Sequence, residues 1–122
     1  MMEGQILMEA RGVNGTLQLL EDRVRIVRGA MLAPVYGRRA YVDLYLQSIT
    51  AIEYKKTPGG MAGYITFHDI EGREEYEDCC VSFVKPQEAR FAAIYTAIEE
   101  ERAARAARNI LPRLEVLAGP AA

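Results

Sequence analysis

The chain has 122 residues, half of them hydrophobic and 26% charged, with a formal net charge of −2. That composition is globular rather than disordered, and the length suits one domain able to bury a core without disulfides or metals. A near-neutral balance supplies no global field for nucleic acid, so none is expected as a partner. No apolar run approaches the length that crosses a bilayer, so no transmembrane segment is expected.

The residues from Met1 to Ala10 include Glu3 and Glu9 and lack a basic segment followed by an apolar one, so they do not read as a secretory signal. Gln5–Ala10 is a short candidate strand. Asn14-Gly15 marks a hairpin, because both residues tolerate left-handed backbone. Thr16–Leu20 follows with Leu17 and Leu19 on one face, and Glu21-Asp22 makes a tight turn. Arg23–Arg28 alternates, with Val24 and Ile26 opposite Arg23 and Arg25, the pattern of a half-buried strand.

Gly29–Gly37 is a connection containing Pro34, unusually apolar for a loop (Met31, Leu32, Val35, Tyr36). Arg39–Leu46 alternates again, with Val42, Leu44 and Leu46 opposite Tyr41, Asp43 and Tyr45. Ile49–Lys56 is rich in β-branched and aromatic residues. Thr57-Pro58-Gly59-Gly60 is a turn. Gly63–Asp69 is a strand with Ile65 and Phe67 inward. Glu71–Asp78 is an acidic stretch that reads as a solvated hairpin. Cys79–Val84 is the last strand, with Val81 and Phe83 inward.

The period then changes. Pro86 suits the first turn of a helix, where its missing N–H costs nothing. Phe91, Ile94, Tyr95 and Ile98 follow the i, i+3, i+4, i+7 spacing of one buried stripe. Glu88 near the helix start and Arg102, Arg105 and Arg108 near its end complement the dipole. Beyond Ile98 the stripe gives way to Glu, Arg and Ala, so the last turns are expected to project past the sheet. Leu111-Pro112 is expected to break the helix. The organisation is thus a single domain over residues 5–108 and a tail over 109–122.

The fold class is mainly β with one C-terminal helix, arranged as an antiparallel barrel or curled sheet that the helix caps. The wording of the strands goes further: Gly12-Val-Asn-Gly15 leading into Leu17-Gln-Leu-Leu-Glu-Asp-Arg-Val-Arg-Ile26, then Ile49-Thr-Ala-Ile-Glu-Tyr-Lys-Lys56, Gly63-Tyr-Ile-Thr-Phe67, Val81-Ser-Phe83, Phe91 and Ile98-Glu99. In this order and spacing, over roughly residues 5–101, they resemble a family of bacterial domains of the pleckstrin-homology (PH) superfold whose function is largely unknown. The resemblance implies seven strands and a capping helix, no catalytic residues, and a binding or assembly role. Arg102–Ala122 does not match the helical oligomerisation module that follows the domain in some members.

Candidate chemistry is sparse. His68 is the sole histidine and is expected at the water-facing rim of its strand. Asp69, next in sequence, points to the other face, so the two do not make an acid–base pair. Cys79 and Cys80 are adjacent. One is expected to point inward and the other outward, where redox sensing would be open to it. One histidine cannot complete a zinc site from these two thiols. No cofactor and no metal are expected, and two free thiols fit a reducing, cytoplasmic location.

Two surfaces remain as candidates. The apolar loop (Met31, Leu32, Tyr36) and the apolar tail (Leu111, Leu114, Leu117) are expected contact residues for a second copy or another protein, unless each folds back onto the barrel. The alternative is a basic patch of Arg25, Arg28, Arg38, Arg39, Lys55 and Lys56 that binds anionic lipid or another polyanion at a membrane surface. Against it, Glu21, Asp22, Asp43 and Glu53 are interspersed.

Overall fold

A computed structural model describes residues 5–28, 41–57, 62–69 and 79–118, with the side chains of the last stretch followed as far as Arg108. Among the described residues seven strands form two antiparallel sheets, and one α-helix follows them. The first sheet has the order β1 (Met8–Arg11), β2 (Thr16–Leu19), β3 (Arg23–Val27), β4 (Tyr41–Tyr45). The second has β5 (Ile49–Lys55), β6 (Gly63–Asp69), β7 (Cys80–Phe83). Helix α1 runs Glu88–Ala118. All seven expected strands are present. The sheets do not close into a barrel through continuous ladders: strand pairing stops at β4 and resumes at β5, across a 3-10 turn at Leu46–Ser48.

The strand pattern has a simple cause. On β3, Val24 and Ile26 are fully buried while Arg23 and Arg25 lie on the outer side. On β4, Val42 and Leu44 alternate with Tyr41, Asp43 and Tyr45 in the same way. Leu20 N donates to Arg23 O at 2.8 Å and closes the tight turn at Glu21-Asp22. The core gathers Leu17, Val24, Ile26, Ile65, Val81 and Phe83 from both sheets under Phe91, Ile94 and Ile98 of α1. Each such side chain contributes about 1.5–3 kcal/mol by leaving water, and the helix supplies its share through one stripe only.

α1 begins as the sequence predicts. Lys85–Gln87 form a 3-10 turn containing Pro86, in which the Gln87 amide and Gln87 Oε1 both bond the backbone of Val84 at 2.8 and 3.0 Å. These bonds satisfy groups that a helix start leaves without partners.

The expected break at Leu111-Pro112 does not occur, because the backbone stays helical to Ala118. Proline removes one amide donor and crowds the carbonyl four residues earlier, which costs about 3 kcal/mol in a helix interior. Here α1 tolerates it. The boundary drawn at 108/109 therefore falls inside a continuous helix.

Nor does α1 leave the sheets abruptly after Ile98. Arg102 donates to Ile49 O at 3.0 Å, and Arg105 donates to Glu21 O. Two of the three arginines that the sequence assigns to the helix dipole thus bind backbone carbonyls of β5 and of the β2–β3 turn, while Arg108 pairs with Glu101.

The two sheets are joined at the other corner by a polar latch. Val13 N donates to Ser82 O at 2.8 Å, and Ser82 N donates back to Asn14 Oδ1 at 2.9 Å. The β1–β2 turn thus sits against β7 as a short strand would. Arg28, 4% exposed, reaches the same corner from the end of β3. Its guanidinium donates to Asn14 O and to Cys80 O, each at 2.9 Å. Gly12 is required by this approach: a Cβ there would lie 2.5 Å from Ser82 O and 2.7 Å from Val81 Cγ1.

Candidate functional site

The residues of the proposed basic patch do not share one environment. Arg25 lies on the outer face of the first sheet, opposite Asp43 in the β3–β4 register. It holds that carboxylate with Nε at 2.7 Å and Nη2 at 2.9 Å, and Arg23 adds a bond at 3.0 Å. Burial alone would push the Asp43 carboxyl up. Hydrogen bonds from Arg25 and then Arg23, together with their charges, outweigh that and hold it below its ordinary value.

The same arginines lie over aromatic rings. Arg25 sits 4.4 Å from the Tyr41 centroid and Arg23 sits 5.3 Å from that of Tyr45. Such stacking on a delocalised cation adds to the ion pairs. Arg25 is therefore part of a neutralised network, not a bare cation.

Arg28 corrects the sequence reading more sharply. It is buried in the latch between the sheets and is not part of an outer surface. Lys55 and Lys56 are exposed at the far end of β5. Arg38 and Arg39 lie outside the described residues, as do Met31, Leu32 and Tyr36. The acidic stretch Glu71–Asp78 also lies outside them. Leu111, Leu114 and Leu117 fall on the helical backbone of α1.

Cys79 and Cys80 are both buried, at 2% and 7% exposure. Cys79, one residue before β7, belongs to the core cluster, while Cys80, the first residue of β7, is outside that cluster and stands opposite Thr66 in the β6–β7 register. The expected last strand thus starts one residue later than Cys79, and neither thiol is open to solvent. An exposed redox cysteine is not what this corner presents.

His68 is exposed on the outer face of the second sheet, as expected, but it has a carboxylate partner that the sequence reading missed. Its Nε2 lies 2.7 Å from Glu53 Oε1. Glu53 opposes Thr66, two residues before His68, so the two meet on a cross-strand diagonal. The pair is open to water, with side chains 45% and 53% exposed. Among the described residues no group of three or more His, Cys, Asp or Glu could hold a metal.

The most distinctive surface lies where β5 meets α1. Tyr54 stacks on Tyr95 with centroids 4.5 Å apart and planes 7° apart, and on Phe83 at 5.9 Å. Phe83 stacks in turn on Phe91 at 4.6 Å. The row starts in the core and ends at half-buried Tyr54 and Tyr95, beside half-buried Ile52.

At its N-terminal end, Glu88 accepts from Thr57 Oγ1 at 2.6 Å and pairs with Lys85 at 3.1 Å. The Thr57 hydroxyl, then Lys85, hold the Glu88 carboxyl below its ordinary range. Burial pushes the Tyr54 phenol up, and the nearby Glu88 charge and then Tyr95 push it further. At the other end Arg102 spans Glu99, at 2.9 Å, and Ile49 O. Strand alternation marked Phe83 as core and the helical stripe marked Phe91 and Tyr95, while Tyr54 was read only as part of an aromatic-rich strand; neither pattern predicts that the row stays half open at its outer end.

No family model, curated protein or solved structure matches the chain. No helix among the described residues is long and apolar enough to cross a membrane.

Proposed function

We propose that the chain is a PH-like binding or scaffold module without catalytic activity, acting by self-association or by contact with another protein. The observation that carries this reading is α1. Its last buried core residue among the described side chains is Ile98, yet its backbone remains helical to Ala118. Ile110, Leu114 and Leu117 recur at i, i+4, i+7 in that extension, a spacing that forms one stripe on a helix. The PH-like element of the reading rests on strand and helix order, four strands then three then a helix.

The described residues favour this over polyanion binding. Of the six cations considered, Arg25 is ion-paired and Arg28 is buried in the latch. A His–Glu pair with side chains this exposed is a surface contact more readily than an acid–base dyad.

The test is the solution mass of the full chain, by light scattering behind size exclusion at about 0.15 M salt, where surface charge contacts are largely screened. A defined multimer supports the reading. A clean monomer that binds no other protein overturns it. If Leu114→Asp with Leu117→Asp lowers the multimer mass, the contact lies on the tail. An unchanged mass places it elsewhere.

A further inference from the structure

The backbone edges of the two sheets are not equally covered. On β1, Glu9 O accepts from Arg90 at 2.7 Å. On β7, Ser82 N, Ser82 O and Cys80 O are taken by Asn14, Val13 and Arg28. Those bonds also fix the phase of the second sheet. If Cys80 and Ser82 turn their backbone groups away from β6, antiparallel alternation makes Gly63–Phe83 and Ile65–Val81 the bonded pairs. Tyr64 and Thr66 then face β5, so Lys55–Tyr64 and Glu53–Thr66 are bonded pairs. Ile52 and Tyr54 are left with N–H and C=O directed away from the sheet. Arg102 covers Ile49 O at one end of that edge; among the described residues nothing covers Ile52 and Tyr54.

Open edges of this kind are templates for another strand. Half-buried Ile52, Tyr54 and Tyr95 flank this one, so an added strand would also cover apolar surface. We propose that the added strand is β5 of a second copy of this chain, paired antiparallel so that Tyr54 opposes Tyr54 of the partner subunit. The proposal rests on the self-association reading and gives it a surface.

Charge selects both the occupant and the register. Outward-facing residues must oppose outward-facing residues for their backbones to bond, which leaves three symmetric or near-symmetric pairings of Ile52 and Tyr54. Setting Ile52 against Tyr54 places Glu53 against Glu53, and like charges directly opposite are destabilising. Setting Ile52 against Ile52 places Glu53 against neutral Ala51. Setting Tyr54 against Tyr54 places each Glu53 against the partner's Lys55, in the closely spaced pair that favours cross-strand contact. Glu53, Lys55 and Ala51 are all exposed on that face. The alternation of acid and base along β5 is thus self-complementary in one register.

The test is sedimentation equilibrium of the wild type, Glu53→Lys, Lys55→Glu and the double exchange, at about 0.15 M salt, with circular dichroism confirming that each folds. Each single change sets like charges opposite one another and is expected to raise the dimer Kd by about tenfold. The double exchange restores opposite charges and is expected to bring the Kd back near the wild-type value. A multimer whose Kd ignores both single changes overturns the β5 pairing and leaves self-association standing on another surface. A multimer abolished by Leu114→Asp with Leu117→Asp but untouched by the charge exchange does the same, in favour of the tail. A wild type still monomeric at about 1 mM overturns the β5 pairing and self-association on any surface, and capture of an unrelated extended peptide on β5 would then assign the edge to contact with another protein.

Discussion

Replacing Arg28 by Met separates a structural arginine from a ligand-binding one. The guanidinium makes bonds of 2.9 Å to Asn14 O and Cys80 O while 4% exposed. Hydrogen bonds to a charged group are worth about 1.5–3 kcal/mol each when removed from a buried site. Methionine keeps most of the volume and returns some apolar burial, and Asn14 Nδ2 remains within 3.5 Å of Cys80 O. The expected net loss is about 3–4 kcal/mol, a large share of the roughly 5–15 kcal/mol that holds a domain together. Arg28→Lys should fall between, since a single ammonium cannot fork across two carbonyls. Urea unfolding followed by far-ultraviolet circular dichroism measures this, with an unchanged denaturant slope. A loss for Arg28→Met within about 0.5 kcal/mol, the range of an ordinary surface substitution, would refute the latch as a stabilising element. It would also return Arg28 to the list of residues available to an anion.

Two further expectations concern titrating groups. The Asp43 carboxyl is held low, so its contribution is fully present above the ordinary aspartate value of about 3.9. It is lost as pH falls through the lower folded value. Asp43→Asn should therefore cost about 1–2 kcal/mol at neutral pH, and the gap to wild type should close in acid; a pH-independent gap would refute the assignment. Tyr54 Oη is buried without a hydrogen-bond partner among the described residues. Tyr54→Phe should leave thermal stability unchanged or raised, and should remove one late-titrating phenol from the alkaline absorbance curve, because the raised Tyr54 value favours the neutral folded form until pH passes it. A loss above about 1 kcal/mol would mean that the hydroxyl is satisfied after all.

Much of the fold was legible because the apolar residues keep a strict period. Val24, Ile26, Val42 and Leu44 announce their strands, and Phe91, Ile94 and Ile98 announce the helix and its buried side. The same period held the answer for Arg28, which shares the parity of Val24 and Ile26. Its charge outweighed its position in the reading, although a forked donor can satisfy carbonyls in a buried corner. The Glu53–His68 contact was not legible, since it depends on the β5–β6 register, which the intervening turn residues do not specify. The continuation of α1 through Pro112 ran against a rule that is statistical rather than absolute. The open outer edge of β5 depends on which backbone groups the latch occupies two strands away, a phase relation that side-chain chemistry does not encode.

The latch also bears on how the chain reaches its native state. The bonds between Asn14 and residues 80–82 join positions 66 and 68 apart in sequence, so the first hairpin finds its final partner only after the last strand has emerged. Neither sheet completes its polar accounting without the other. Contacts of such span demand a large loop closure before they return any stabilisation, which slows folding relative to helical domains of equal size. During synthesis, the β1–β2 turn would wait with its donors and acceptors solvated until β7 arrives, and the two sheets would then commit to the folded state together.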